Sequence, residues 1–258
     1  MSPNYDKLAD YYDLEYFYKD DDIDFYLDAA REFGSPVLEI GIGTGRIALP
    51  LAEQGFTVFG VDNSLRMLKK AKLKMANQSR ALQKNIHIIQ ADMKMFCLRQ
   101  QFPLCVVPFR AFLHNLSQHE QISTLQSIRQ HLQPDGMLVL DIFVPIYSVI
   151  SRNHWTEEAE LQDGQRVVLT KTRVDHIPAE QLLHVRNTYS SRKKILAKAD
   201  YHYRYIFRFE MELLLKISGF QVLRVYGGFA KEPYSFYSGN MIFMARKIAD
   251  EEQNAILK

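Results

Sequence analysis

The chain has 258 residues, long for one domain and short for two of ordinary size, so one large core carrying an insertion is expected. Hydrophobic residues at 47% and charged residues at 24% exclude a disordered chain. Lys+Arg 32 against Asp+Glu 30 leaves a formal charge of +2, which gives no support to a protein that coats nucleic acid, and two cysteines exclude a disulfide framework.

The opening segment, MSPNYDKLADYYDLEYFYKDDD, is acidic and tyrosine-rich, with no basic start and no apolar run, so it is not a signal peptide. A helix is predicted from about Asp22 to Phe33, with acids at its positive end and Gly34 at its exit. From Ser35 to Ile150 short apolar runs alternate with helical patterns, the mark of a parallel α/β sheet. Strands are expected at 36–40, 56–61, 85–90, 104–109 and 137–143, and helices at 46–54, 65–75 and 118–132, with Ser64 capping the second of these helices. The runs 104–109 and 137–143 are apolar throughout except for Asp141, as suits strands buried on both faces.

After Ile150 the rhythm changes, and roughly 151–207 reads as an antiparallel insertion, with strands at 167–173 and 182–189. Tyr201 to Arg208 alternates strictly, which puts Tyr201, Tyr203, Tyr205 and Phe207 on one face and His202, Arg204 and Arg208 on the other. That aromatic face either packs as core or roofs a pocket. A helix at 210–218 and strands at 220–226 and 241–247 close the chain. The longest apolar stretch is shorter than the about 20 residues a membrane span needs, so the expected compartment is the cytoplasm.

The sharpest motif is Glu39-Ile-Gly41-Ile-Gly43-Thr-Gly45, between a strand and a helix. Glycines there let the chain turn tightly and let a ligand lie against the main chain. The spacing is G-x-G-x-G, not the G-x-G-x-x-G of a pyrophosphate turn, and Glu39 would repel a pyrophosphate while suiting an amine-bearing ligand. Asp62 ends the second strand, where a carboxylate can accept both ribose hydroxyls. Asp92-Met93 follows the third, where an acid can take an adenine amino group while the thioether packs on the ring. Each acid taken alone is equally a cap or a loop residue. Their order on successive strands makes them a set.

With these residues the sequence resembles the class I S-adenosylmethionine-dependent methyltransferases, of the small-molecule type, over most of its length. The matching stretches are E-I-G-I-G-T-G at 39–45, G-V-D-N-S-L-R-M-L at 60–68, Q-A-D-M at 90–93 and L-Q-P-D-G-M-L-V-L-D at 132–141. The opening Tyr5-Asp-Lys-Leu-Ala-Asp-Tyr-Tyr12 resembles the family's N-terminal lid, whose tyrosine reaches the cofactor carboxylate. The resemblance implies a doubly wound, Rossmann-like α/β fold. Its seven-stranded sheet would be mostly parallel, in the order 3-2-1-4-5-7-6 with the last strand antiparallel, and would carry a small antiparallel insertion and a helical lid. It divides the chain into a lid at 1–34, a core at 35–150 and 208–247, the insertion at 151–207 and a tail at 248–258. S-adenosylmethionine would be the cofactor and S-adenosylhomocysteine the product. Tyr12, Glu39, Gly41, Gly43, Gly45, Asp62, Asn63, Asp92, Met93 and Phe109 would hold it.

The acceptor side is less determined. The segment Val106 to Asn115 carries no Asn/Asp-Pro-Pro-Tyr motif, which withholds support for nucleobase or glutamine methylation. Arg110 stands where similar enzymes carry a small or amide residue, and it either meets an acidic substrate or caps the site. His114 is the candidate general base, with packing as the alternative. Tyr203, Tyr205 and Tyr234 are the expected substrate contacts. Cys105 reads as core, and the basic helix face of Arg66, Lys69, Lys70, Lys72 and Lys74 reads as solvated. The expected reaction is methyl transfer to a nitrogen or oxygen of a small molecule. The alternatives are an RNA or protein acceptor, and a non-catalytic cofactor binder. No metal, membrane or nucleic-acid partner is expected, and a homodimer stays open.

Overall fold

In the computed structural model, which describes residues 5–146, 150–235, 237–249 and 253, the apolar runs become the inner strands of one sheet. Its strands are β1 (Val37–Ile40), β2 (Val58–Asp62), β3 (Ile86–Gln90), β4 (Phe102–Val107), β5 (Leu132–Phe143), β10 (Phe220–Tyr226) and β11 (Asn240–Lys247). The seven strands lie in the order β3-β2-β1-β4-β5-β11-β10. β11 runs antiparallel to both β5 and β10, while the pairs among β1 to β5 are parallel. The expected order is therefore the observed one.

Period-two alternation sorts the inner strands between two cores. Cys105, Val107, Leu138 and Leu140 join one cluster with α6 (Gln118–His131) and α7 (Arg208–Ile217). Leu104, Val106, Met137 and Val139 join the opposite cluster with α2 (Ile23–Phe33) and α3 (Ala48–Glu53). Glu39 and Asp141 share the parity of that second set, and both are buried. α4 (Leu65–Ala76) starts at Ser64, whose hydroxyl accepts from Met67 N at 3.2 Å as expected of an N-cap. α3 starts two residues later than predicted, because 46–47 remain in the turn that follows the glycines.

The insertion is an antiparallel meander, β6 (His154–Asp163), β7 (Arg166–Ile177), β8 (Leu182–Ser191) and β9 (Lys194–Arg204), forming a separate four-stranded sheet. β6 left no apolar signature because it is an edge strand with Leu161 as its one buried side chain. The alternating run at 201–208 is a strand only as far as Arg204. Beyond it Tyr205 N donates to Gln181 O, and Phe207 is already the N-cap of α7.

α1 (Tyr5–Glu15) lies between the sheets. Leu8 and Ala9 join Met67 of α4 and Leu183, Val185 and Tyr201 of the insertion in a third apolar cluster, and Tyr11 stacks on Tyr189 at 4.3 Å. Asp10 pairs with Arg66 and Lys70, and Asp13 with Lys74. Part of the basic face that reads as solvated is thus the seat of α1. Among the described residues no helix is long and apolar enough to cross a membrane.

Candidate active site

The carboxyl ends of β1, β2, β3 and β4 open into a cavity of about 400 Å³, a size in the usual range for small-ligand sites. It is lined by Glu39, Gly41, Gly43, Asp62, Asn63, Asp92 and Met93 at these strand ends, by Leu8, Tyr12 and Tyr16 of the N-terminal segment, and by Phe109, His114, Tyr201 and Tyr203. Gly45, Arg110, Tyr205 and Tyr234 do not line it.

The glycine turn has the shape its sequence implies. Gly41 and Gly43 have φ of +76° and +55°, and a Cβ on Gly41 would stand 2.7 Å from Ala111 Cβ. Gly43 N donates to Asp62 Oδ2 at 2.9 Å, and Ser64 N donates to Oδ1 of the same carboxylate at 2.8 Å. Asp62 therefore ties the turn to the start of α4 while facing the cavity. Glu39 is buried, its Oε2 has no hydrogen-bond partner, and burial pushes its carboxyl up to about 8. A protonated or unpaired acid in a ligand cavity is poised for a cationic partner.

On the other wall, Phe109 and Arg110 both adopt left-handed backbone, φ 52° and 66°. Non-glycine residues there are strained, and such strain gathers at functional sites. Asp141 holds this bend. Its buried carboxylate accepts from Phe109 N at 2.7 Å and from Tyr26 OH. The bend turns Phe109 to the cavity and carries Arg110 away from it, its guanidinium 5.3 Å from the Phe143 ring. Tyr205 was expected at the pocket because of its alternation with Tyr203. The strand ends before it, and its hydroxyl lies 3.1 Å from His176 Nε2. Tyr234 sits against Arg208 and the sheet core, and a Cβ added at Gly45 would meet Leu49 and Ala71 at 3.7 Å.

His114 does face the cavity, but not as a charged group. Burial pushes its imidazole down to about 4. Its Nδ1 lies 3.1 Å from the His202 carbonyl, so Nδ1 carries the proton and Nε2 is the acceptor nitrogen. Its ring tilts against Tyr203 at 4.5 Å, and Tyr16 meets Phe109 edge-on at 4.9 Å.

Arg46 also lines the cavity, and nothing in the local sequence marked it. It makes a bidentate pair with the buried Asp22 at 2.5 and 2.7 Å, and its guanidinium lies 5.1 Å from the Phe109 ring. Lys94 and Glu120 were missed in the same way, paired at 2.8 Å on the rim, while Tyr201 lines the cavity from the aromatic face read as a possible roof and Tyr16 from the tyrosine-rich N-terminal segment. These residues meet only through the packing of α1, the insertion and α6.

A model of the methyltransferase domain matches residues 37–136, from β1 into β5. The cypemycin N-terminal methyltransferase of a Streptomyces species is 25% identical over 229 residues, covering 83% of this chain and 84% of that one. Together these matches support a class I S-adenosylmethionine-dependent methyltransferase. Solved methyltransferases share the fold. The CcbJ methyltransferase from Streptomyces caelestis aligns with a TM-score of 0.79 and 22% identity, over 92% of this chain and 96% of that one. S-adenosylmethionine-bound CalS10, an amino pentose methyltransferase from Micromonospora echinaspora, aligns with a TM-score of 0.65 and 19% identity, over 86% and 87%. Further curated methyltransferases match over 44% to 61% of their own length. The glycopeptide N-methyltransferase MtfA, which shares the fold with a TM-score of 0.62 and 21% identity, was solved in complex with S-adenosyl-L-homocysteine.

Proposed function

We propose that this methyltransferase transfers the methyl group to the nitrogen of a small amine, held between Tyr16, Tyr201, Tyr203 and His114. The observation that carries the reading is the aromatic wall around a neutral imidazole. Aromatic faces stabilise the cation that an N-methylated product becomes, and a hydroxyl acceptor has no such use for them. The name of one relative specifies an N-terminal methyltransferase and that of a structural neighbour a sugar N-methyltransferase.

On this reading the cofactor lies along the strand ends. Glu39 and the glycine turn take its amino-acid half with Tyr12, Asp62 takes the ribose hydroxyls, and Asp92 takes the adenine amino group, with Asn63 and Met93 at the ring. The residues fit it: the unpaired Glu39 Oε2 matches a cationic amine, and a Cβ added at Gly43 would have the Gly41 carbonyl oxygen, 3.9 Å away, as its nearest neighbour, leaving backbone open to a ligand. The bound donor supplies an activated sulfonium methyl, open to in-line displacement. The protein's part is orientation and exclusion of water, since an activated methyl needs little chemical help. His114 accepts a hydrogen bond from the incoming amine and aims its lone pair. With its imidazole at about 4, it orients the amine rather than storing its proton. The apolar wall favours the neutral, nucleophilic amine over the ammonium.

The test is methyl transfer from radiolabelled S-adenosylmethionine to parallel panels of small amines, matched hydroxyl compounds, peptides and RNA. Labelling of amines is expected. Labelling confined to hydroxyl compounds, or to RNA, sinks the reading. Calorimetry with S-adenosylhomocysteine separates the cofactor half: Asp62→Ala should weaken binding at least about tenfold through loss of charge-assisted hydrogen bonds.

A further inference from the structure

Beyond the methyl-transfer site, the outer face of the insertion carries a cluster with ligand chemistry. His184 on β8 and His202 on β9 are direct register partners, and their imidazoles stack at 4.3 Å with 10° between planes. Asp200 lies two residues before His202 on the same face of β9 and is bonded to His184 Nε2 at 2.7 Å. One ligand atom from each of the three side chains lies within 4.8 Å of the others. We propose that His184, Asp200 and His202 form a binding site for a divalent transition cation of the Zn²⁺ class.

The donor set is the first argument. Two imidazoles and one carboxylate suit Zn²⁺ and its borderline neighbours and do not suit Ca²⁺ or Mg²⁺, which take oxygen shells. A tetrahedral shell with bonds near 2.0 Å sets its ligand atoms about 3.3 Å apart, so small rotations of partly exposed side chains close the site around an ion, with water in the remaining position.

The second argument is what the neighbouring charges do. Arg186 is the register partner of Asp200 and the natural competitor for its carboxylate. It is instead bonded to Asp175, which Arg173 also holds. Asp200 is left to the histidines.

The third argument is placement. The inner face of the same β9 segment presents Tyr201 and Tyr203 to the active-site cavity, and the His202 carbonyl accepts from His114 Nδ1. An ion bridging β8 and β9 at His184 and His202 clamps the wall that carries those two tyrosines and the carbonyl that holds His114.

The experiment is calorimetric titration of ZnCl₂ into tag-free, chelator-dialysed protein, with Mg²⁺ as the comparison cation. One Zn²⁺ per chain and no Mg²⁺ binding are expected. His184→Ala and His202→Ala should each weaken Zn²⁺ binding at least about tenfold, since each removes one of three ligands. Zn²⁺ should also raise the melting temperature of the unsubstituted protein and leave that of His184→Ala unchanged. Unaltered S-adenosylhomocysteine affinity in His184→Ala certifies that the variant is folded. Zn²⁺ affinity that both variants retain, no Zn²⁺ binding at all, or equal binding of Mg²⁺ overturns the site.

Discussion

Glu39 is the residue whose chemistry is most exposed to test. Its folded carboxyl sits at about 8, so it is mostly protonated at pH 7. A cationic amine placed against Oε2 favours the carboxylate and drives the proton off. Binding of S-adenosylhomocysteine at pH 7 should therefore release close to one proton, read from calorimetry in buffers of different ionisation enthalpy. Glu39→Gln should bind with no proton release and at least about tenfold more weakly, as for a lost charge-assisted contact. Proton release that survives Glu39→Gln would assign the titration elsewhere. Asp141 acts at one remove, through the hydrogen bond that holds Phe109 N in a strained bend. The sequence shows it only as a polar interruption in an apolar strand. Its partner Tyr26 is 115 residues away, so its purpose is visible only after folding.

At the scale of elements, α1 forms one side of the cavity. It contributes Leu8 and Tyr12 to the lining, and its acidic face is seated on α4 through Asp6, Asp10 and Asp13. The Asp10 and Asp13 ion pairs are half exposed, and such pairs are each worth about 0.2–1 kcal/mol, a small addition to the burial of Leu8 and Ala9. Asp13 is the most connected, because Thr44 Oγ1 and Lys74 Nζ both donate to it at 2.6 Å. Asp13→Lys should speed amide hydrogen exchange across 5–15 and raise the Kd for S-adenosylhomocysteine several-fold, with exchange in β4 and β5 unchanged. Exchange that rises everywhere would mean global destabilisation and not an opened helix. The helix and its tyrosines were legible from sequence. The docking was not, because each acid meets a partner on or at the start of α4 more than fifty residues away.

For the whole molecule, the buried imidazole makes stability depend on pH. The folded pKa of His114 is about 4, against about 6.5 unfolded, so between those values the unfolded chain binds more protons. The contribution is fully present above pH 6.5 and is lost as pH falls toward 4. Glu39 works in the opposite direction, since its raised pKa favours the fold most below 4.5 and loses that contribution as pH rises through about 8. The two are separated by substitution: between pH 6.5 and 4 the wild type should lose up to about 3 kcal/mol more than His114→Phe, measured by urea denaturation. Parallel pH curves for the two proteins would show that the imidazole is not the titrating group.

The glycine spacing and the acids at successive strand ends carried the resemblance to class I methyltransferases, and that resemblance implied the sheet order that the structure has. Those signals are local: a strand, a tight turn and a helix start lie within a few residues of each other, and the physics that demands glycine or a cap acts over that distance. The acceptor side was decided by tertiary structure. Tyr203 reached the cavity while Tyr205, two residues on with the same parity, did not, because β9 ends at Arg204. Arg110 turned away because a distant Asp141 sets the bend. His114 lost its basicity to burial that no local pattern announces, and His184 met His202 only because a hairpin placed them in register. Burial, strand termination and register are properties of the folded whole, and they chose which tyrosines became wall and which became core.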